Sequence, residues 1–179
     1  MGRMPSVQQL RPFAEAPLEA FRAASGPVAL IQQPPEPVLQ QVALQLEQAR
    51  TVMMVSRTRL AERLLTMLQG FQHLEVHLLH PRVDGEEFTV GRMDTCMLMV
   101  KDPSVSKLHA KLRWSQQAGA CLVRDAGSMN GTFVNAVMLG PHQDHQLRDG
   151  DALSFGDAQF LYLHTDTLHA HLRLIQDPV

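Results

Sequence analysis

Residues 91–135 read GRMDTCMLMVKDPSVSKLHAKLRWSQQAGACLVRDAGSMNGTFVN, and the fold of this 179-residue chain is decided by how that stretch is read. Around and within it, Phe88, Val90, Met97, Met99, Leu108, Ala110, Leu112, Trp114, Leu122, Phe133 and Val134 fall in short runs near a two-residue period. Gly, Pro, Asp, Asn or Ser breaks the runs every few residues, as in a chain of many short strands joined by turns. Arg92 follows Gly91 where the run Phe88 to Val90 gives way to a loop, a position from which a rigid sheet displays a side chain.

Two further loops carry polar groups of complementary kinds. Ser104, Val105, Ser106 and Lys107 lie between two strands, and His109 starts the second of them. Ser128 to Thr132 closes another loop around Asn130-Gly131, a dipeptide that favours tight hairpins because both residues accept positive φ. Gathered at one end of a sandwich, these loops offer a guanidinium, a hydroxyl beside an ammonium, and a carboxamide. Such a patch suits a phosphate dianion: Arg92 grips two oxygens in its planar fork, and Ser106 and Lys107 add donors and charge. Asn130 has an acceptor and two donors, which is what holding a peptide main chain requires. Taken singly, each piece has a bland reading: a solvated arginine, a turn serine at Ser104, a structural histidine at His109, a hairpin at Asn130-Gly131.

Together and in this order they are distinctive. Gly91-Arg92, then Ser106-Lys107-Leu108-His109, then Ser128 to Asn135, with Leu147 to Gly156 (LRDGDALSFG) downstream, resembles a forkhead-associated (FHA) domain from about Leu74 to Leu163. The resemblance implies an eleven-strand β-sandwich whose loops at one end bind phosphothreonine peptides. It implies that Arg92 and Ser106 contact phosphate, that Lys107 helps, and that Asn130 holds the peptide backbone. His109 would brace the loops from inside, and Gly91 and Gly131 would give the site structural support. Two positions depart from the pattern: Lys107 stands where many members have arginine, and Met129 replaces a small polar residue that some members use on the phosphate.

Composition bounds the remainder. The net charge is −2 and no basic block points to nucleic acid. Cys96 and Cys121 sit in apolar surroundings without metal-ligand spacing, as buried free thiols of a reducing compartment do. No apolar run is long enough to span a membrane, and the N-terminus lacks the apolar region of a secretion signal, so a cytoplasmic location is expected. Gly2 and Ser6 match a lipidation pattern short enough to arise by chance, with no basic cluster following to reinforce an anchor.

Four segments are expected: a loose leader over 1–12, an α/β or helical segment over 13–72, the sandwich over 73–164, and a terminal helix with tail over 165–179. Within the second, Pro17 to Ala24 reads as a short helix stopped by Gly26, and Pro27 to Ile31 as an apolar run. Val38 to Arg50 repeats apolar residues at helical spacing. Thr51 to Val55 then reads as a buried strand, with Ser56 capping a second helix over Arg57 to Gln69, the whole making a β-α-β-α segment. The rival reading is one long rod with a coiled-coil seam through Leu39, Val42, Leu46, Ala49 and Met53. Farther on, Leu139 to Gln146 reads as an irregular loop, and Thr165 or Asp166 as the cap of the last helix.

No nucleophile with a base, no glycine-rich loop opening a helix and no paired carboxylates are found, so no enzyme activity and no cofactor are expected. His142 with His145, and His169 with His171, lack a third ligand, and no metal is expected. The reading is a phosphothreonine-dependent adaptor in Ser/Thr kinase signalling whose partner is a phosphorylated protein, either a kinase or its substrate. The alternative is a phosphate-independent scaffold or homodimerisation module, which changes at Leu39, Leu46 or Leu64 would disturb.

Overall fold

A strand wetted on one face alternates apolar and polar residues, whereas one apolar at every position must be covered on both faces. Val28-Ala29-Leu30-Ile31 is of the second kind. The structure is a computed structural model that describes residues 5–34 and 59–175, with the side chains of 59–63 excepted. Its elements in order are α1 (Val7–Leu10), a 3-10 turn (Arg11–Glu15), α2 (Leu18–Ser25), β1 (Val28–Gln32), α3 (Arg59–Gly70), β2 (Val76–Leu79), β3 (Glu87–Gly91), β4 (Leu98–Met99), β5 (Ala110–Ser115), β6 (Ala120–Asp125), β7 (Thr132–Val134), β8 (Val137–Met138), β9 (Asp144–Gln146), β10 (Ala152–Phe155), β11 (Ala158–His164) and α4 (Thr165–Leu172).

The strands form a six-stranded sheet of order β2-β1-β11-β10-β7-β8 and a five-stranded sheet of order β4-β3-β5-β6-β9. The mainly β, eleven-strand sandwich expected from the resemblance is therefore present. Among the described strands β3 and β4 pair in parallel and the other ladders are antiparallel.

β1 explains its own composition. Val28 and Leu30 enter the core between the two sheets, while Ala29 and Ile31 enter a second core on the opposite face. β11, its neighbour, does the same: Phe160 and Tyr162 face the sandwich, Leu161 and Leu163 the second core. That second core is roofed by Val7 and Leu10 of α1, Phe21 of α2, Leu64, Met67 and Leu68 of α3, and Leu168 and Leu172 of α4. The molecule thus has three layers, helices over the six-stranded sheet over the five-stranded sheet. Each fully buried Leu or Phe stabilises this arrangement by about 1.5–3 kcal/mol relative to exposure.

Several expectations change in consequence. The boundary at residue 72 does not separate the sandwich from what precedes it, because β1 is hydrogen-bonded between β2 and β11 inside the sheet. Residues 5–12 are not a loose leader. Ser6 caps α1 in a reciprocal box with Gln9, Val7 and Leu10 are buried, and the Val7 amide donates to the Leu74 carbonyl at 3.0 Å. The amphipathic pattern of only four helical residues is too short to register in sequence. Residues 139–146 are not wholly irregular, since Asp144–Gln146 is β9, an exposed edge strand with no apolar face to signal it. Neither Thr165 nor Asp166 caps α4 with its side chain. The Thr165 hydroxyl donates to the Gly26 carbonyl at 2.5 Å and Asp166 accepts from Arg22 at 2.6 Å, so tertiary partners hold both.

The helix read over Arg57 to Gln69 corresponds to α3, and Leu64 is buried in the second core rather than turned to a partner. The readings at Val38 to Arg50, at Thr51 to Val55, at the Ser56 cap and along the heptad fall outside the described residues.

Candidate functional site

Strand direction brings the three loops together. β3 is antiparallel to β5 and β5 to β6, with Val90 opposite Ala110 and Ala110 opposite Asp125. The end of β3, the start of β5 and the end of β6 therefore meet at one end of the five-stranded sheet. From there issue Arg92, the segment 104–109, and the segment 126–131.

Ser106 stitches these loops with all three of its polar groups. Its carbonyl accepts the Arg92 amide at 2.9 Å, its amide donates to Nδ1 of His109 at 3.0 Å, and its hydroxyl oxygen accepts the Met129 amide at 3.0 Å. Among the described residues no protein acceptor takes the hydroxyl proton. Arg92 is exposed, and its Nε donates to the Val105 carbonyl at 3.2 Å, which orients the guanidinium and leaves the N–H groups of both terminal nitrogens. Lys107 is exposed beside it, and its carbonyl accepts the Met93 amide at 3.2 Å. Among the described residues no carboxylate forms an ion pair with either cation. Asn130, also exposed, donates from Nδ2 to the Ser104 carbonyl at 2.7 Å and keeps its amide oxygen and second N–H.

His109 lies beneath, fully buried. Its Nδ1 must accept, because the Ser106 amide donates to it, and its Nε2 must donate, because its partner at 2.9 Å is the Gly131 carbonyl. The ring is therefore the neutral tautomer protonated at Nε2. Burial pulls its pKa below the ordinary histidine value, against the opposing pull of the Gly131 carbonyl and Asp125. The ring stands edge-on to Phe155 at 5.7 Å, which fixes it in the core.

Glycine is required twice. A Cβ on Gly91 would collide with the Lys107 carbonyl, so only glycine lets the Arg92 loop close on the Ser106 loop. Gly131 has φ +84°, which a side chain would strain, and a Cβ there would press on Met138 and Phe133 at 3.2 Å.

Asp125 was not singled out from sequence, yet it builds the Asn130 loop. Buried at the end of β6, it accepts from the amides of Gly127 and Ser128 at 2.8 and 2.9 Å and from the hydroxyls of Ser128 and Thr132 at 2.6 and 2.7 Å. Burial alone would raise its pKa, but the hydroxyls of Ser128 and Thr132 and the amides of Ser128 and Gly127 outweigh that and hold it below the usual aspartate value. The available signal was an aspartate three residues before a serine at the end of an apolar strand. Ser104 is the turn residue expected: Asp102 accepts its amide at 2.8 Å and its hydroxyl at 2.6 Å. Its carbonyl nonetheless seats Asn130, and its hydroxyl accepts the Asp157 amide at 2.9 Å. Met129 contributes its backbone amide, while its side chain is 89% exposed and supplies no hydroxyl to the patch.

Two other buried titratable groups, His169 and Cys121, lie in the packed interior. His169 packs at a tilt against Phe21, ring centres 5.1 Å apart, with Nε2 at 2.9 Å from the Ala16 carbonyl, and burial pushes the pKa of the Cys121 thiol up to about 12. Among the described residues no three His, Cys, Asp or Glu gather as a metal would need, and no helix is long and apolar enough to cross a membrane.

A β-sandwich that displays an arginine, a serine and an asparagine on three adjoining loops is a scaffold for recognition. Residues 88–156 match the FHA domain family, and the chain carries an FHA domain over that stretch, a binding module by class. Mediator of DNA damage checkpoint protein 1 of Homo sapiens is 37% identical over 79 residues, 43% of this chain and 4% of that protein. The FHA domain-containing protein FhaA of Mycobacterium tuberculosis is 35% identical over 72 residues, 40% of this chain and 13% of that protein. The probable serine/threonine-protein kinase fhkA of Dictyostelium discoideum is 31% identical over 98 residues, 47% of this chain and 16% of that protein. The chain thus spans only a small part of the length of these relatives. In fold, the FHA domain of CT664 protein from Chlamydia trachomatis aligns with a TM-score of 0.50 at 17% identity, covering 77% of this chain and 97% of that one.

Proposed function

We propose that the chain is a cytoplasmic adaptor that docks a phosphothreonine-containing protein, itself a Ser/Thr kinase or a kinase substrate. The observation that carries this reading is the use of Ser106. Its hydroxyl oxygen accepts the Met129 amide, which positions the hydroxyl with its proton available to a ligand, beside two cations that form no ion pair among the described residues. Phosphate is all acceptor at its oxygens, and it matches a site made of donors.

In this reading Arg92 grips two phosphate oxygens, Ser106 donates to one, and Lys107 supplies charge. Asn130, held by the Ser104 carbonyl, gives its free amide oxygen and N–H to the peptide main chain. Met129 adds no side-chain donor, so phosphate affinity rests on the other three. Gly91, His109 and Gly131 hold the loops. The FHA segment shared with a relative named as a serine/threonine kinase supports the signalling context. Preference for phosphothreonine over phosphoserine is finite, since one buried methyl contributes about 1 kcal/mol.

Titration of the full chain with a degenerate phosphothreonine peptide library, beside the same library bearing phosphoserine and bearing no phosphate, tests the reading. Binding should require phosphate and favour threonine. Equal binding of the unphosphorylated library would refute it.

A further inference from the structure

The loop that carries Asn130 runs into a short hairpin. β7 and β8 pair with Phe133 opposite Met138 and Val134 opposite Val137, and the turn between them has positive φ at Asn135 and Ala136, 51° and 65°. Two positive φ values give a turn whose twist matches that of its strands, which fixes the register. Val134 belongs to the sandwich core, so alternation turns Phe133 and its partner Met138 to the opposite face of the sheet. Neither joins the core beneath the helices, and Met138 is 65% and Val137 68% exposed.

The hairpin stands directly against the site. The Met138 sulfur and the Phe133 ring lie close over the α-carbon of Gly131, the residue after Asn130. Met129, the residue before it, is exposed as well. From Met129 to Gly140 the sequence MNGTFVNAVMLG has no charged residue. Neighbouring apolar side chains left in water, rimmed by polar groups, mark a contact surface. Methionine suits one because its unbranched, polarisable chain adapts to what it touches.

The order of the groups names the occupant. Along residues 129–131 the Met129 amide bonds the Ser106 hydroxyl, the Asn130 side chain bonds the Ser104 carbonyl, and Gly131 meets Met138. Phosphate donors, main-chain holder and apolar surface therefore follow one another. A peptide with its phosphate on Arg92 and Ser106 and its main chain on Asn130 runs on over Met138 and Phe133. An extended chain advances about 3.3 Å per residue, so the side chain that lands there lies within about three positions of the phosphothreonine. A charged side chain finds no partner among residues 129–140, whereas an aliphatic one removes apolar area from water on both sides.

We propose that the hairpin is a specificity surface of this site, selecting phosphothreonine peptides that carry leucine, isoleucine or methionine within about three residues of the phosphothreonine. The inference rests on the phosphopeptide reading above. Met129, which brings no hydroxyl to the phosphate, serves this surface instead.

The test uses the full chain with its methionine methyls labelled for NMR. Serine nonapeptides with phosphothreonine at the centre are titrated in, bearing leucine, lysine or aspartate in turn at each of the three positions on either side. The same peptides without phosphate form the control. At one position or more, leucine should tighten binding about five- to tenfold over serine, as partial burial of one such side chain gives, and should shift the Met138 methyl. Lysine and aspartate there should give no such gain. In Met138→Thr the ratio of leucine to serine affinity should fall below about twofold, and a ratio taken on one variant does not depend on that variant's stability. Phosphate-dependent binding with no leucine gain, a gain without a Met138 shift, or a gain that persists in Met138→Thr would overturn this inference and leave the phosphopeptide reading standing. No phosphate-dependent binding by any peptide would overturn both. A dimer in sedimentation that dissociates in Met138→Thr would assign the hairpin to a second copy of the chain and overturn the inference.

Discussion

The Ser106 hydroxyl oxygen accepts the Met129 amide at 3.0 Å, joining the loop before β5 to the loop before β7. One side chain therefore both assembles the site and faces its ligand. Ser106→Ala removes the stitch and the donor together. A hydrogen bond to a charged group contributes about 1.5–3 kcal/mol, so phosphopeptide affinity should fall about 10- to 100-fold by calorimetry. Because the residue lies at the surface, the melting temperature should move by less than about 4 °C.

His109 makes the same assembly sensitive to acid. Its folded pKa is depressed by burial, so the stabilisation from the neutral ring is fully present above the unfolded value of about 6.5 and is lost as pH falls from there through the folded pKa. Protonation at Nδ1 sets a donor against the Ser106 amide. Protection of the Ser106 and Met129 amides from hydrogen exchange, measured without ligand, should drop below about pH 6.5. In His109→Gln that pH dependence should disappear. Measuring the free protein keeps the phosphate's own protonation out of the result.

Asp125 should titrate lower. Its depressed pKa contributes stability above the unfolded aspartate value of about 4, and that contribution is lost as pH falls through the folded value. Asp125→Asn brings an amide donor against two backbone amides and two hydroxyls. Denaturant unfolding at pH 7 should show a loss of about 3 kcal/mol, the cost of leaving buried donors unsatisfied. The Asn130 loop should lose exchange protection before the sheets do.

The N-terminal strand is a structural part of the sandwich. A fragment limited to residues 73–164 lacks β1 and exposes the inner edges of β2 and β11, with Leu161 and Leu163 uncovered. It should aggregate or fail to give dispersed NMR spectra, whereas the intact chain folds. Phe21→Ala, 2% exposed at present, should cost the intact chain about 3–5 kcal/mol in chemical unfolding.

How far the sequence could be read follows from where the information sits. The sandwich and its three loops were legible because strand periodicity and turn residues are local, and Arg92, Ser106 and Asn130 occur in a distinctive order. The membership of β1 was not, because Val28 to Ile31 is apolar at every position, and such a run does not say which sheet or helix layer will cover its two faces. The packing of α1 was hidden by its length, and Asp125 by the fact that the four donor groups of Gly127, Ser128 and Thr132 converge on it only when the loop closes.

The most direct test of the central claim is a calorimetric titration of one phosphothreonine peptide selected from the library into the wild-type chain and into Arg92→Ala, with its unphosphorylated form as the third arm. The account predicts saturable binding by the wild type alone, with the phosphate-free peptide and the variant each weaker by at least about 100-fold, as loss of a bidentate charged contact implies. Equal affinity in all three titrations would contradict it.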